Sequence, residues 1–161
     1  MTTQNVKADQ AWGSLANVSD TERESQMLAR YAELARLTEE ERRSRLLAMA
    51  QAEYSLPDEK LRPFTISRIK VWLKVEMETA RLIASSYDAV MDMMPGTAAM
   101  RRIALVQTLA SSFTLEDQSK LRILVPRVFA GKPDISNVVN PVPEKLEEKA
   151  QTKSKWAFWK K

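Results

Sequence analysis

Residues 64–94 read FTISRIKVWLKVEMETARLIASSYDAVMDMM, and the fold turns on how this stretch is read. Ile66, Ile69, Leu73, Ala80, Ile83, Tyr87, Val90 and Met94 line one face at helical spacing, with a gap at the polar Glu76. Val71, Val75, Leu82 and Ala89 line another. A helix that is apolar on two sides is buried on two sides. The stretch therefore predicts a central helix, capped by Thr65, stapled by Phe64 and Ile69, and bent or broken near KVEMET (74–79). Its charge order opposes the helix dipole. Arg68, Lys70 and Lys74 lie towards the N-terminal end, Asp88 and Asp92 towards the C-terminal end. Pairing of Asp88 or Asp92 with Arg101 or Arg102 across the Pro95-Gly96 turn accounts for half of this order. A basic half that faces an acidic partner is the sharper alternative.

Working outward, further helices are expected on both sides. Upstream, Ser19 with Glu22 and Thr38 with Glu41 have the spacing of capping boxes. Pro57 and Pro63 bracket LPDEKLRP, which reads as a short turn. Downstream, Thr97 caps a helix that places Ala99, Ile103, Val106, Ala110 and Phe113 on one face. Thr114 caps the next, and Pro126 stops it. An apolar residue followed by threonine opens a helix at 37–38, 64–65 and 113–114. The unequal spacing reads as shared capping chemistry, not as a repeat. No segment alternates in the manner of paired strands. The expected fold is all-α, a compact bundle of about five helices over residues 19–130. Residues 1–18, with a lone Trp12-Gly13, read as a flexible N-terminal segment. Residues 131–152 carry Pro133, Pro141 and Pro143 and read as an extended tether, followed by a basic aromatic tail over 153–161.

Composition narrows the function. The 161 residues suit one domain with a core of its own. There is no cysteine and no histidine, which removes thiolate chemistry, the commonest general base and the commonest metal ligands. Asp88 and Asp92 share a helix face, but no third carboxylate stands at matching spacing to make a metal or acid–base site. No phosphate-binding loop, dinucleotide fingerprint or nucleophile elbow occurs. No catalysis, metal or cofactor is expected. The N-terminus lacks the pattern of a signal peptide, and no run approaches the ~20 apolar residues of a membrane span, so a cytoplasmic location is expected. The net charge of +4 permits an acidic partner, a nucleic acid or an anionic membrane without choosing among them.

The most pointed functional clue is KSKWAFWKK, residues 153–161. Trp156, Phe158 and Trp159 are expected as apolar anchors, and Lys153, Lys155, Lys160 and Lys161 as their electrostatic partners. Tryptophan favours the membrane–water interface. Each lysine near an anionic surface adds about 1 kcal/mol, so four give roughly millimolar binding and need the aromatics or several copies to hold. The same residues suit docking into a pocket of a partner protein. They also suit stacking on single-stranded nucleic acid, or folding back onto the helical domain. Met91, Met93, Met94 and Met100 cluster around one turn and read as core filling or as a partner groove. With Arg68, Lys70 and Lys74, the residues Met91, Met93 and Met94 form the candidate partner surface. The expected protein is a non-catalytic helical adaptor or accessory subunit, docked by its tail on an anionic membrane surface, cytoplasmic face included, or in a partner pocket. The alternative is a small basic nucleic-acid-binding regulator, although no recognised nucleic-acid motif accompanies its basic residues.

Overall fold

Six helices begin in the same way. Ser19, Thr38, Pro57, Glu76, Pro95 and Thr114 are the N-caps, with φ between −53° and −66° and ψ between 138° and 159°. Their numbers are successive multiples of nineteen. Each is preceded by an apolar residue: Val18, Leu37, Leu56, Val75, Met94 and Phe113. The chain is thus a helical repeat with one helix per 19 residues, which corrects the reading of shared capping chemistry alone. Ser19, Thr38 and Thr114 accept the backbone N–H three residues on, and Thr38 with Glu41 completes a capping box.

The structure, a computed structural model, describes residues 3–130. Its elements are α1 (Thr3–Gln10), a 3-10 helix (Trp12–Asn17), α2 (Asp20–Ala35), α3 (Glu39–Tyr54), α4 (Asp58–Lys74), α5 (Met77–Met91), α6 (Gly96–Ala110), α7 (Leu115–Leu124) and a closing 3-10 helix (Pro126–Phe129). Among the described residues there is no strand, and the all-α expectation holds with more helices than five. Each helix packs on its next-but-one neighbour: α1 on α3, α2 on α4, α3 on α5, α4 on α6 and α5 on α7. Odd and even helices therefore form two interleaved stacks, the arrangement of a helical-repeat protein.

The register follows from burial. Positions four, eight and twelve residues after the cap are Arg23, Met27 and Tyr31 in α2, Arg42, Leu46 and Ala50 in α3, and Leu61, Thr65 and Ile69 in α4; all are buried. This face meets the following helix of the same stack. Positions seven, eleven and fourteen are likewise buried: Phe64, Arg68 and Val71 in α4, and Ile83, Tyr87 and Val90 in α5.

Arginines tie successive repeats together. Arg23 donates to the carbonyls of Leu15 and Val18, to Asp20 and to Ser67 Oγ, at 2.9, 3.1, 2.8 and 3.1 Å. One period later, Arg42 donates to Leu34 and Leu37 carbonyls, Glu39 and Ser86 Oγ at the same sequence offsets. Both satisfy carbonyls left free where the preceding helix ends. At the third junction the equivalent residue is Leu61, and Arg101 reaches over from α6 to bond Tyr54 and Leu56 carbonyls and Asp58.

Several expectations are corrected. The segment 64–94 is two helices, broken at Val75–Glu76, where the predicted break lies. The break removes much of the charge paradox, because Lys74 now closes α4 and Glu78 opens α5, as the dipoles favour. Thr65 is fully buried in mid-helix and caps nothing; Phe64 is core, not a staple. The predicted turn at 57–63 is the cap and first turns of α4. Pro63 sits inside that helix, and its missing N–H would have reached the carbonyl of Glu59, an exposed residue. Thr97 lies within α6, whose cap is Pro95.

The N-terminal segment is not loose over residues 3–17. Trp12 is 3 % exposed and meets Tyr31 and Phe64 edge-to-face at 5.7 and 5.9 Å. Gly13 keeps the approach beside it open, because a Cβ there would stand 3.1 Å from the carbonyl oxygen of Ala52, a tight contact. The tether and the tail, 131–152 and 153–161, lie outside the described residues.

Candidate functional site

The repeat register shows where polar groups break the apolar pattern. Glu53 takes the place held by Leu34 one period before and Trp72 one period after. Arg68 takes the place of Met49 and Tyr87. Both are fully buried, with 3.1 Å between Arg68 Nη1 and Glu53 Oε1. Aromatic rings enclose them. The guanidinium lies 4.6 Å from the Tyr87 ring centre and 5.3 Å from that of Trp72. Tyr87 and Tyr54 hydroxyls are 3.2 Å apart, and Arg102, paired with Asp88, covers the other side of Tyr87 at 5.1 Å.

Burial pushes the Glu53 carboxyl above the usual range, against the pull of Arg68. It also pushes the Tyr31 and Tyr87 hydroxyls up. Burial is the largest single influence on Arg68 and works against its charge, but Glu53 together with Tyr87, Tyr54 and Tyr31 raises the guanidinium well above its ordinary range. A perturbed acid of this kind is a common mark of catalysis. Here it is sealed: the described clefts around Tyr54, Met93 and Arg101, around Leu61 and Leu105, and around Asp88 and Arg127 do not include Glu53 or Arg68 in their walls. Glu53 and Arg68 are both closed off from solvent, between α3 and α4.

The predicted partner surface is not a single patch. Arg68 is interior, which corrects its assignment to a surface; so is Met91, and Met94 is half-buried against the core. Lys70 and Lys74 are exposed on α4, and Lys74 pairs with Glu24. Met93 is 65 % exposed on the turn before α6. Asp88 pairs with Arg102 as expected, whereas Asp92 is held by Arg127 at 2.7 and 2.9 Å, and Arg101 goes to Asp58. Arg127 holds the Asp92 carboxyl below its ordinary range. Among the basic residues, Arg42, Arg45 and Arg102 are buried with acidic partners, while Arg43 and Arg127 are exposed. Among the described residues no group of three acids or other ligands comes together to hold a metal. No helix among them is long and apolar enough to cross a membrane.

Sequence reasoning missed the outer face of α6. At the positions that the next helix of the stack covers elsewhere, Ala99 packs partly against the core, Gln107 donates to the Val128 carbonyl of the closing 3-10 helix at 2.7 Å, and Ile103 is exposed. Ile103 was expected in the core. Around it, Thr97, Met100, Ala104, Thr108 and Ser111 are exposed, and Met100 is 72 % exposed. Arg101 stands at the edge of this face, its side chain 34 % exposed and bonded to the end of α3 and to the exposed Asp58, and it shares clefts with Thr97, Ala104 and Thr108. Arg102 is buried on Asp88. The exposed faces of α2, α3, α4, α5 and α7 all carry charged side chains. The signal was present in the sequence as a 15-residue helix with no acid. No protein-family model, curated protein or solved structure matches the chain.

Proposed function

We propose that the protein is a non-catalytic helical-repeat adaptor, which associates with protein through the outward side of α6 and docks through residues 153–161. The observation that carries this reading is that side of α6, where Met100 and Ile103 are exposed among Thr97, Ala104, Thr108 and Ser111. Surfaces of this kind favour protein association. The sealed Glu53–Arg68 centre supports a structural rather than a catalytic role for the polar core. The tail sequence supports an anionic membrane surface as its target, cytoplasmic leaflets included, with Trp156, Phe158 and Trp159 seated at the interface and the lysines on the headgroups. Co-sedimentation of the full chain with neutral and anionic vesicles tests the tail. Binding should need anionic lipid and be lost in the Trp156→Ala, Trp159→Ala variant. Equal binding by that variant, or none by either chain, would refute the membrane foot.

A further inference from the structure

We infer that the cleft along the outer side of α5 binds a phosphate group, held between Arg43 and Arg81. The inference goes beyond the adaptor reading and depends on neither the tail nor α6. The cleft has a volume of about 500 Å³, within the range of ligand pockets. Its floor is one face of α5, where Arg81, Ser85, Ala89 and Asp92 follow one another at helical spacing. Arg43 of α3 stands on one side of it, and Ile123 of α7 with Arg127 on the other.

The repeat register sets the two arginines side by side. Arg43 lies five residues after the cap Thr38, and Arg81 five residues after the cap Glu76. Their helices pack on each other, and packed helices lie about 8–10 Å apart. Two guanidinium groups at matching places on such neighbours repel, and an anion between them relieves the repulsion. The acids nearby do not supply it. Glu39 accepts from Arg43 Nε at 2.6 Å but also from Arg42 and Ser86, and the terminal nitrogens of Arg43 make no bond among the described residues. Arg81 is exposed and has neither an ion pair nor a hydrogen bond among them, even with Glu78 one turn before it. The cleft's own acids are engaged elsewhere, Asp92 by Arg127 at 2.7 and 2.9 Å and Asp88 by Arg102. What remains is positive charge at the Arg43–Arg81 end.

The arrangement favours phosphate over carboxylate. A phosphomonoester carries close to two charges and three terminal oxygens, enough to accept from two arginine forks at once, whereas a carboxylate fills one. Ser85, exposed one turn after Arg81, adds a hydroxyl donor. Ala89 leaves room beside it, and Ile123, 53 % exposed, gives an apolar wall for the body that carries the phosphate.

Titration of the full chain with inorganic phosphate, followed by amide-resolved NMR, tests the site. Saturable shifts should gather at Arg43, Arg81 and Ser85, with dissociation in the millimolar range. Arg81→Gln should weaken binding about 10-fold or more, and Arg81→Lys, which keeps the charge without the fork, should recover part of it. Arg62→Gln removes another exposed, unpaired arginine, outside this cleft, and should bind like the wild type. Thermal melts of these variants should match the wild type, because neither side chain has a partner to lose. A capped tripeptide with phosphoserine between alanines, and its unphosphorylated form, separate the sources. Tighter binding of the phosphopeptide than of inorganic phosphate upholds the site and assigns it to a phosphorylated protein; equal or weaker binding upholds it for free phosphate. The inference is overturned by shifts that do not saturate by about 50 mM phosphate, by equal losses in Arg62→Gln and Arg81→Gln, which would mark an effect of net charge alone, or by a phosphopeptide that binds no better than its unphosphorylated form while inorganic phosphate leaves Arg43 and Arg81 unshifted.

Discussion

At the N-terminal end of the stack, Asp9 is buried between two arginines. It takes Arg30 at 2.6 Å and Arg45 at 2.9 and 3.2 Å, and Arg45 reaches on to Glu33 at 2.8 Å. At the C-terminal end, α6 turns Thr97, Met100 and Ile103 outward, and Gln107 donates to the Val128 carbonyl of the closing 3-10 helix at 2.7 Å. The two ends belong to one repeat and share its backbone geometry. The first is closed by ion pairs that fix α1 onto α3, as a capping repeat closes a helical array. The second is closed in part by the 3-10 helix and leaves Met100 and Ile103 exposed. The difference separates stability from association. Charges at one end hold the fold together, and the apolar side chains at the other are the surface offered to a partner.

That contrast can be broken most severely between the two ends, at the centre. Replacing Arg68 with Met leaves Glu53 buried without its counter-charge and should lower stability by about 3–5 kcal/mol in denaturant or thermal melts. A loss below about 1 kcal/mol would mean that the pair contributes little to register. The same centre predicts a pH signature. Because burial raises the folded carboxyl of Glu53, its contribution is complete below the ordinary Glu range of about 4.3 and is lost as pH rises through the folded value. Glu53→Gln abolishes this term. Melting temperatures of variant and wild type measured from about pH 4 to pH 8 should diverge in favour of the variant as pH rises; parallel curves would contradict the shift.

At the closed end, Asp9→Ala strips Arg45 of one of its two acids and Arg30 of its shortest contact. About 2–3 kcal/mol should be lost, with the N-terminal helix released first, visible as faster hydrogen exchange over residues 3–17. The smallest effect belongs to the open end. Met100→Ala should change stability by no more than about 0.5 kcal/mol. A large loss would make α6's outer side part of the core.

The helical class was legible in the capping boxes at Ser19 and Thr38 and in the period of 64–94. The repeat was hidden because its caps share backbone geometry but not chemistry. Ser, Thr, Pro, Glu, Pro and Thr occupy them, and Phe64-Thr65 imitates the apolar-threonine pair of 37–38 and 113–114 while lying in mid-helix. The steadier signal is the apolar residue before each cap, at intervals of nineteen. Arg68 passed for a surface cation because Lys70 and Lys74 are near. It stands four residues from both Phe64 and Trp72, on the buried face. Trp12 was undecidable locally: its burial depends on Tyr31 and Phe64, each a repeat or more away. The edge at α6 was unreadable without the register, because Ile103 has ordinary helical spacing and becomes exposed only where the stack ends.

The most direct test of the two-ended account is hydrogen exchange of the full chain, compared between the wild type and the Asp9→Ala and Met100→Ala variants. The account predicts faster exchange over residues 3–17 in Asp9→Ala alone, with residues 96–110 unchanged in both. Faster exchange over α6 in Met100→Ala, or no change over residues 3–17 in Asp9→Ala, would contradict it.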